Sequence, residues 1–486
     1  MNENMKKFIY IALTLVLASA ALSSCDKFLD VNKNPNYPEK VEPYTLLPTV
    51  HMRLAEKVGY DINLVGTFWS QYVVQCQQTN QYYTVMRYNL RNSASWFTSP
   101  WSIFYGQNLP ALHEVLAAYE NEAEYLNFAF EAKALLAYHL YLLNSLYGDV
   151  CYSKAFGSDT YGTLEFDPNP AFDAERDVYA TIVAMLEELR AADATAVDAA
   201  EAIHSSEAYD PMFQGDMDNW RAFVNTLYLK LLMRDFTANT TKITALLAED
   251  DFLTVDAMFA AYEDKADKSN PFYESDRRQL NTTENIRACQ DVIKHMLVSG
   301  SIDYRILNYY TLNSSGSVSG TNYGVTASRS STSKLALNPL DPVYFSTADE
   351  ALFLQAEAYA RLTQPVAAKA CYDAAVTAAF DREGMSGGET ALLAGRYAYP
   401  SAGTVDDQVH QIILQKWLSN VKGMPIESWF DINRTGYPTR GSDITNFGGD
   451  LGSPAVRFMY SYYSKTYNTN SPDPIAMNVK MWWHKQ

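Results

Sequence analysis

Hydrophobic residues recur along most of this chain with the three-to-four-residue period of a buried helix. In 220–236, Trp220, Phe223, Val224, Leu227 and Leu231 stand at i, i+3, i+4, i+7 and i+11, and only a helix gathers such a stripe onto one face. Asp218 and Asn219 are candidates to cap its start. Residues 172–190 repeat the pattern with Val178, Ile182, Met185, Leu186 and Leu189. Leu126 to Tyr147 is apolar on most faces, which predicts a helix enclosed by protein, stopped by Tyr147-Gly148-Asp149.

Between 350 and 380 the spacing is more specific. Tyr359 and Ala368 lie 3 and 12 residues after Ala356, and Tyr372 and Ala375 follow 4 and 3 residues further on. Tetratricopeptide repeats alternate small and large residues at these intervals: the small one lets a second helix cross closely, and the ring fills the space beside it. Pro365 falls where the second helix would open. The expected fold class is all-α, with tetratricopeptide-like helix pairs and a second, loop-rich half. Residues 311–339, 381–408 and 436–474 supply the loops, rich in Gly, Ser, Pro, Thr and Asn. The last is laced with Tyr437, Tyr460, Tyr462, Tyr463 and Tyr467, rings that favour an ordered, functional loop.

The first residues carry a different pattern. Lys6-Lys7 precede an apolar run from Phe8 to Ala21, and Leu22-Ser23-Ser24 then lead to Cys25. The run is short for a hydrocarbon core of roughly 30 Å, and small residues mark a cleavage site. The expectation is a lipoprotein leader over 1–24, with Cys25 acylated after export and 25–48 serving as a tether. One helical domain with loop insertions would occupy 49–486. Asp30, Asn32 and Asn34 alternate as in a calcium loop, but Pro35 stands where the sharp turn needs Gly; no metal or cofactor is expected.

Charge removes some partners. The net charge is −18 and no Lys/Arg-rich block occurs, so nucleic acid is excluded. Tyrosine is abundant, with 35 copies; it buries a ring while offering a hydroxyl, which suits wet, polar ligands. Cys76, Cys151, Cys289 and Cys371 are widely separated, with no metal-binding spacing; buried thiols are expected, with one bridge left open. Catalytic motifs are incomplete. Gly316-Ser317-Val318-Ser319-Gly320 has Val where a nucleophile elbow needs Ser, and His113-Glu114 lacks a second His. Glu427 and Asp431, at i and i+4 beside Trp429, are the one carboxylate pair of note; a polar face near Arg434 is the preferred reading over a glycosidase pair.

Several strings then align with a family. Asp26-Lys27-Phe28-Leu29-Asp30-Val31-Asn32, Leu146-Tyr147-Gly148-Asp149-Val150 and Gly215-Asp216-Met217 through Trp220 come first. Asn225-Thr226-Leu227, Asp303-Tyr304-Arg305-Ile306-Leu307, Glu350-Ala351 through Ala358 and Gln415-Lys416-Trp417 follow. Trp429-Phe430, Arg434-Thr435-Gly436-Tyr437-Pro438 and Trp482-Trp483 complete the order. The chain resembles the SusD/RagB family of outer-membrane lipoproteins, in its SusD-like branch. Cys151 and Tyr304 depart from it, at positions where Pro is usual.

The resemblance implies a helical, tetratricopeptide-like body lodged at the cell surface. It also implies capture of oligosaccharides, or peptides in some members, for a SusC-type TonB-dependent β-barrel transporter. It implies no enzyme activity. A peptide-binding or purely structural transporter partner is the alternative, and a surface glycosidase a more distant one. Sugar contacts vary within such a family, so they are sought among rings beside amides. The segment Gln77 to Trp101 is richest, with Gln78, Asn80, Gln81 and Asn92 among Tyr82, Tyr83, Tyr88 and Trp96. Trp96, Tyr82, Tyr83 and Tyr323 are the expected ligand contacts, with Tyr309 and Tyr310 next. Trp101 reads as core, and Arg434 through Pro438 as a fold-stabilising turn.

Overall fold

The structure is a computed structural model and describes residues 2, 3, 5, 41–77, 81–156, 167–197, 199, 202–203, 209–279, 284–440, 451 and 453–485. The expected leader, Cys25, the turn around Asp30, and Gln78 and Asn80 lie outside the described residues. From Glu42 onward the chain is one compact unit. Its main helices are α1 (Pro43–Glu56), α2 (Asn63–Trp69), α3 (Ser95–Ile103), α4 (Leu109–Tyr119), α5 (Leu126–Tyr147), α6 (Glu175–Ala191) and α7 (Met217–Leu232). After these come α8 (Phe236–Glu249), α9 (Ala348–Arg361), α10 (Pro365–Arg382), α11 (Val405–Ser419), α12 (Pro425–Thr435) and the short α13 (Tyr462–Tyr467). Short antiparallel ribbons link the loops: β1 (Val73–Gln75) pairs with β3 (Ile286–Ala288), and β2 (Ala257–Phe259) with β6 (Val343–Ser346).

The periodic segments fold as their patterns predict. α5 covers the apolar run end to end, and α4 and α6 pack against it. The stripe of α7 is buried from Trp220 to Leu231. Its cap, however, is Asp216 rather than Asp218 or Asn219: the Asp216 carboxylate accepts from the amides of both, at 3.0 and 3.1 Å. The helix starts a turn before its hydrophobic stripe, so the capping residue stands earlier. In α9 and α10, Ala356, Ala368, Tyr372 and Ala375 are buried while Tyr359 is partly covered, and Pro365 opens α10. Helix already begins within the segment expected as a tether: Pro43 takes the first helical position, and Leu47 and Val50 lie in the core. Gly66 is required where α2 crosses α12, because a Cβ there would stand 2.5 Å from the Ile426 nitrogen.

Behind the helix pairs runs a buried ionic chain. Lys230 on α7 meets Glu350 at 3.0 Å and Glu427 at 3.3 Å. Lys416 on α11 meets Glu350 at 3.1 Å and Asp431 at 2.9 Å. Arg434 then holds Asp431 at 2.8 Å and grips Glu357 through both nitrogens, at 2.6 and 2.7 Å. Such a chain is tolerated in a dry interior because each charge meets its opposite. Burial works to raise the Glu357 carboxyl, but Arg434 and Arg361 hold it well below the usual carboxylate range. The expected polar face near Arg434 is instead buried: Asp431 meets Arg434 and Lys416, and Glu427 meets Lys230.

The loop-rich half is ordered by its own polar groups. The stretch 311–339 is tied down by bridges from Tyr310 to Leu335, Cys289 to Thr321 and Cys76 to Ala327. Asn313 donates to the Ser319 hydroxyl at 2.8 Å and to the Ser331 carbonyl at 3.0 Å. Cys76, Cys151, Cys289 and Cys371 are free thiols, all buried except the half-buried Cys371. Three π-helical turns interrupt this side of the molecule, at Lys57–Ile62, Phe104–Asn108 and Glu274–Gln279. Such turns concentrate at functional sites because the extra residue re-aims the side chains around it.

Candidate functional site

The segment after β1 meets the 311–339 loop. The Gln77 amide donates to the Ala327 carbonyl at 2.7 Å, and Asn285 donates to the Gln81 side chain at 2.5 Å. The rings of Tyr88 and Tyr323 lie 6.3 Å apart. Yet two of the four expected contacts offer no face to a ligand. Tyr82 is 0% exposed and donates its hydroxyl to Asp276 at 2.9 Å; Tyr323 is 2% exposed. Both are walls of the core, and Tyr309 and Tyr310 are buried as well. A ring in a loop of a large domain finds apolar neighbours below it as readily as solvent above it.

Tyr83 and Trp96 remain partly open. Tyr83 is half-buried, with the Arg87 guanidinium 5.0 Å above its ring. Trp96 is half-buried against the core, and its indole N–H meets no hydrogen-bond acceptor among the described residues. Trp96 sits on α3 between Ser95 and Ser99, and those two serines line a groove of about 690 Å³.

That groove is framed by two of the three π turns. Lys57–Ile62 supplies Lys57, Tyr60 and Asp61, and Glu274–Gln279 supplies Glu274, Ser275 and Gln279. The wall opposite carries Phe259, at the end of β2, and Tyr262, their rings 5.2 Å apart. Tyr262 is half-exposed as a residue, but its buried hydroxyl has no hydrogen-bond partner among the described residues. On the other side Lys57 donates to the Ser99 hydroxyl at 2.9 Å, and Ser99 donates to Asp61 at 3.1 Å. Burial raises the Asp61 carboxyl, while Lys57 works to lower it. The groove therefore pairs apolar ring faces with hydroxyls and a fixed acid–base pair.

The sequence did not single out Tyr60, Phe259 or Tyr262, because none stands in a ring-rich run; β2 and the π turns bring them together from 200 residues apart. The Trp96 segment was the one signal that pointed here. Glu427 and Asp431 line neither this groove nor the second one described below. No group of three or more His, Cys, Asp or Glu among the described residues is placed to hold a metal ion. No described helix is long and apolar enough to cross a membrane.

The helical body thus carries a ring-walled groove beside α3. A family model named SusD-like_2 and described as starch-binding, associating with outer membrane, matches residues 35–461, and the chain belongs to that family. Solved structures share the fold. A Bacteroidetes SusD-like protein matches with TM-score 0.73 and 18% identity over 92% of this chain and 100% of its own. A SusD homologue from Bacteroides uniformis matches with TM-score 0.72 and 21% identity over 91% and 99%. A chitin-binding SusD homologue from Flavobacterium johnsoniae matches with TM-score 0.72 and 20% identity over 90% and 97%. No significant match is found among curated proteins.

Proposed function

We propose that this protein is a surface lipoprotein that captures neutral oligosaccharides and passes them to a SusC-type TonB-dependent transporter. Cys25 carries its lipid anchor, and it cleaves no bond. The observation that carries the reading is the groove between Ser95, Ser99, Tyr60 and Tyr262 in a chain of a starch-binding, outer-membrane-associating family. The rings of Phe259 and Tyr262 take the apolar faces of a sugar, and the Lys57–Ser99–Asp61 relay takes its hydroxyls. Trp96, whose neighbours Ser95 and Ser99 line the groove, and the half-open Tyr83 serve as accessory contacts. Two rings contributing about 1 kcal/mol each supply only part of the roughly 4 kcal/mol that millimolar binding needs, so capture is weak, which suits a protein that must release its cargo.

The test is native affinity electrophoresis of the mature chain through gels containing soluble starch, glycol chitin, xylan or galactomannan. At least one polysaccharide is expected to retard the protein, with no new reducing ends formed. Tyr262→Ala should weaken that retardation at least tenfold, with the melting temperature within a few degrees of wild type. Passage through every gel without delay contradicts glycan capture, and turnover of any polysaccharide contradicts the binding-only role. Radiolabelled palmitate entering the wild-type chain but not Cys25→Ala checks the anchor.

A further inference from the structure

A second groove opens near the other end of α3. It holds about 560 Å³ and is walled by Trp101, Tyr105, Phe156, Pro170, Tyr463 and Tyr467. Trp101, read as core, is indeed 7% exposed, and its ring lies 4.6 Å from that of Tyr105. Tyr463 and Tyr467 are the opposite: they are 50% and 71% exposed, one helical turn apart on α13. Their planes are within 15° of parallel and their centroids 6.2 Å apart. Two exposed, parallel rings at the lip of a cavity are unusual for surface tyrosines, which water and mobility scatter.

These rings are held in place. Ser461 caps α13 through its hydroxyl, 3.2 Å from the Tyr463 amide, and the Tyr462 amide donates to the Asn92 carbonyl at 3.2 Å. Lys465 reaches the carbonyls of Ser471 and Pro472 at 3.3 and 3.2 Å. Asn468 donates to the Pro170 carbonyl at 2.8 Å, and Asn169 accepts from the Thr469 amide at 2.8 Å. The platform is thus bound to segments roughly 300 residues away in sequence. Prepaid rigidity of this kind helps a ligand and has little to offer a free surface.

The chemistry of the lining selects the ligand. Among the described lining residues Asp167 is the one acidic side chain and none is basic, while burial pushes the Cys151 thiol up to about 12. Phosphate, sulfate and acidic sugars have no cation to meet, and a peptide backbone finds few free polar partners. Parallel tyrosines beside prolines and the Ser102 hydroxyl suit the apolar face and hydroxyls of a neutral pyranose chain. We infer that the Tyr463–Tyr467 groove is a second glycan-binding platform, which lets one molecule hold a long neutral polysaccharide at two points. The inference rests on the glycan-capture reading of the first groove. Ser95 and Ser102, one in each groove, are separated by roughly 10 Å along α3 at 1.5 Å per residue. A chain seated in one groove therefore has a high effective concentration at the other.

The test compares wild type, Tyr262→Ala and the double variant Tyr463→Ala/Tyr467→Ala. Each is run on whichever of the four polysaccharides retards wild type, and on a trisaccharide of the same sugar by calorimetry. The double variant should lose at least fivefold in affinity for the polysaccharide and less than twofold for the trisaccharide. Tyr463→Phe/Tyr467→Phe should restore most of the loss, because stacking needs the ring. An unchanged polysaccharide affinity in the double variant, with Tyr262→Ala still impaired, overturns the second platform and leaves the first reading standing. A wild-type protein that binds none of the four overturns both.

Discussion

The helix-pair half and the loop half of this molecule solve the same problem in opposite ways. Around α7, α9, α11 and α12 the interior is charged and fully paired, a chain from Lys230 through Lys416 to Arg434. Around β1, β3 and the 311–339 loop it is built of rings, with Tyr82, Tyr88, Tyr309, Tyr310 and Tyr323 all buried. The first half gains a single, stiff arrangement of helices. The second gains a ring-packed interior, and the two grooves open away from it, along α3. Stiffness on one side lets the other side stay open, and the ligand-facing residues are those few rings the walls do not consume.

The comparison breaks first, and most severely, at Arg434. Arg434→Ala leaves Glu357 with Arg361 alone and frees one side of Asp431 in a dry interior. Losing one partner of a buried pair costs about 3–5 kcal/mol. Denaturant unfolding should show that loss, while polysaccharide affinity at a temperature where the variant is folded should stay within twofold.

Acid should act next. Burial lowers His139 to about 4; its Nδ1 lies 2.7 Å from the Leu135 carbonyl and its Nε2 3.0 Å from Asn108 Nδ2. With the proton on Nδ1, Nε2 accepts from Asn108, so protonation breaks that bond. The folded pKa is below the unfolded one, so the unfolded chain binds protons first. This contribution is complete above about pH 6.5 and is lost as pH falls towards 4, on the order of 3 kcal/mol. His139→Gln should flatten stability against pH in that window, as read by denaturant midpoints at pH 7, 6, 5 and 4.

The smallest effect sharpens the distinction between a wall ring and a contact ring. Tyr82→Phe removes a hydroxyl donated to buried Asp276 and should cost about 1–2 kcal/mol of stability. Its polysaccharide affinity should equal that of wild type, in contrast to Tyr262→Ala. Weakened binding at full stability would return Tyr82 to the ligand site.

The two halves also differ in how far the sequence discloses them. α5, α7 and the α9–α10 pair follow from hydrophobic spacing, because a helix's periodicity is local and its burial follows from the stripe. The nearness of Asp431 to Arg434 was legible from their spacing along α12, but the burial of Glu427 and Asp431 against Lys230 and Lys416 was not. Loop rings carry no such period. Tyr82 and Tyr83 are neighbours in one polar segment, yet one is sealed and the other half-open, a difference set by Asp276 and Arg277 from 200 residues away. Phe259 and Tyr262 were invisible because β2 and β6 place them opposite α3 only in the folded chain. The α7 cap was misread by one turn because Asp216 lies ahead of the hydrophobic stripe.

The measurement that bears most directly on this division of labour is a crystal structure of the mature chain with a bound oligosaccharide of the retarding polysaccharide. Sugar rings against Phe259 and Tyr262, with hydroxyls reaching Ser99, are the predicted result. Sugar seated instead on the helix-pair half, between Arg361, Tyr437 and Lys485, would contradict it.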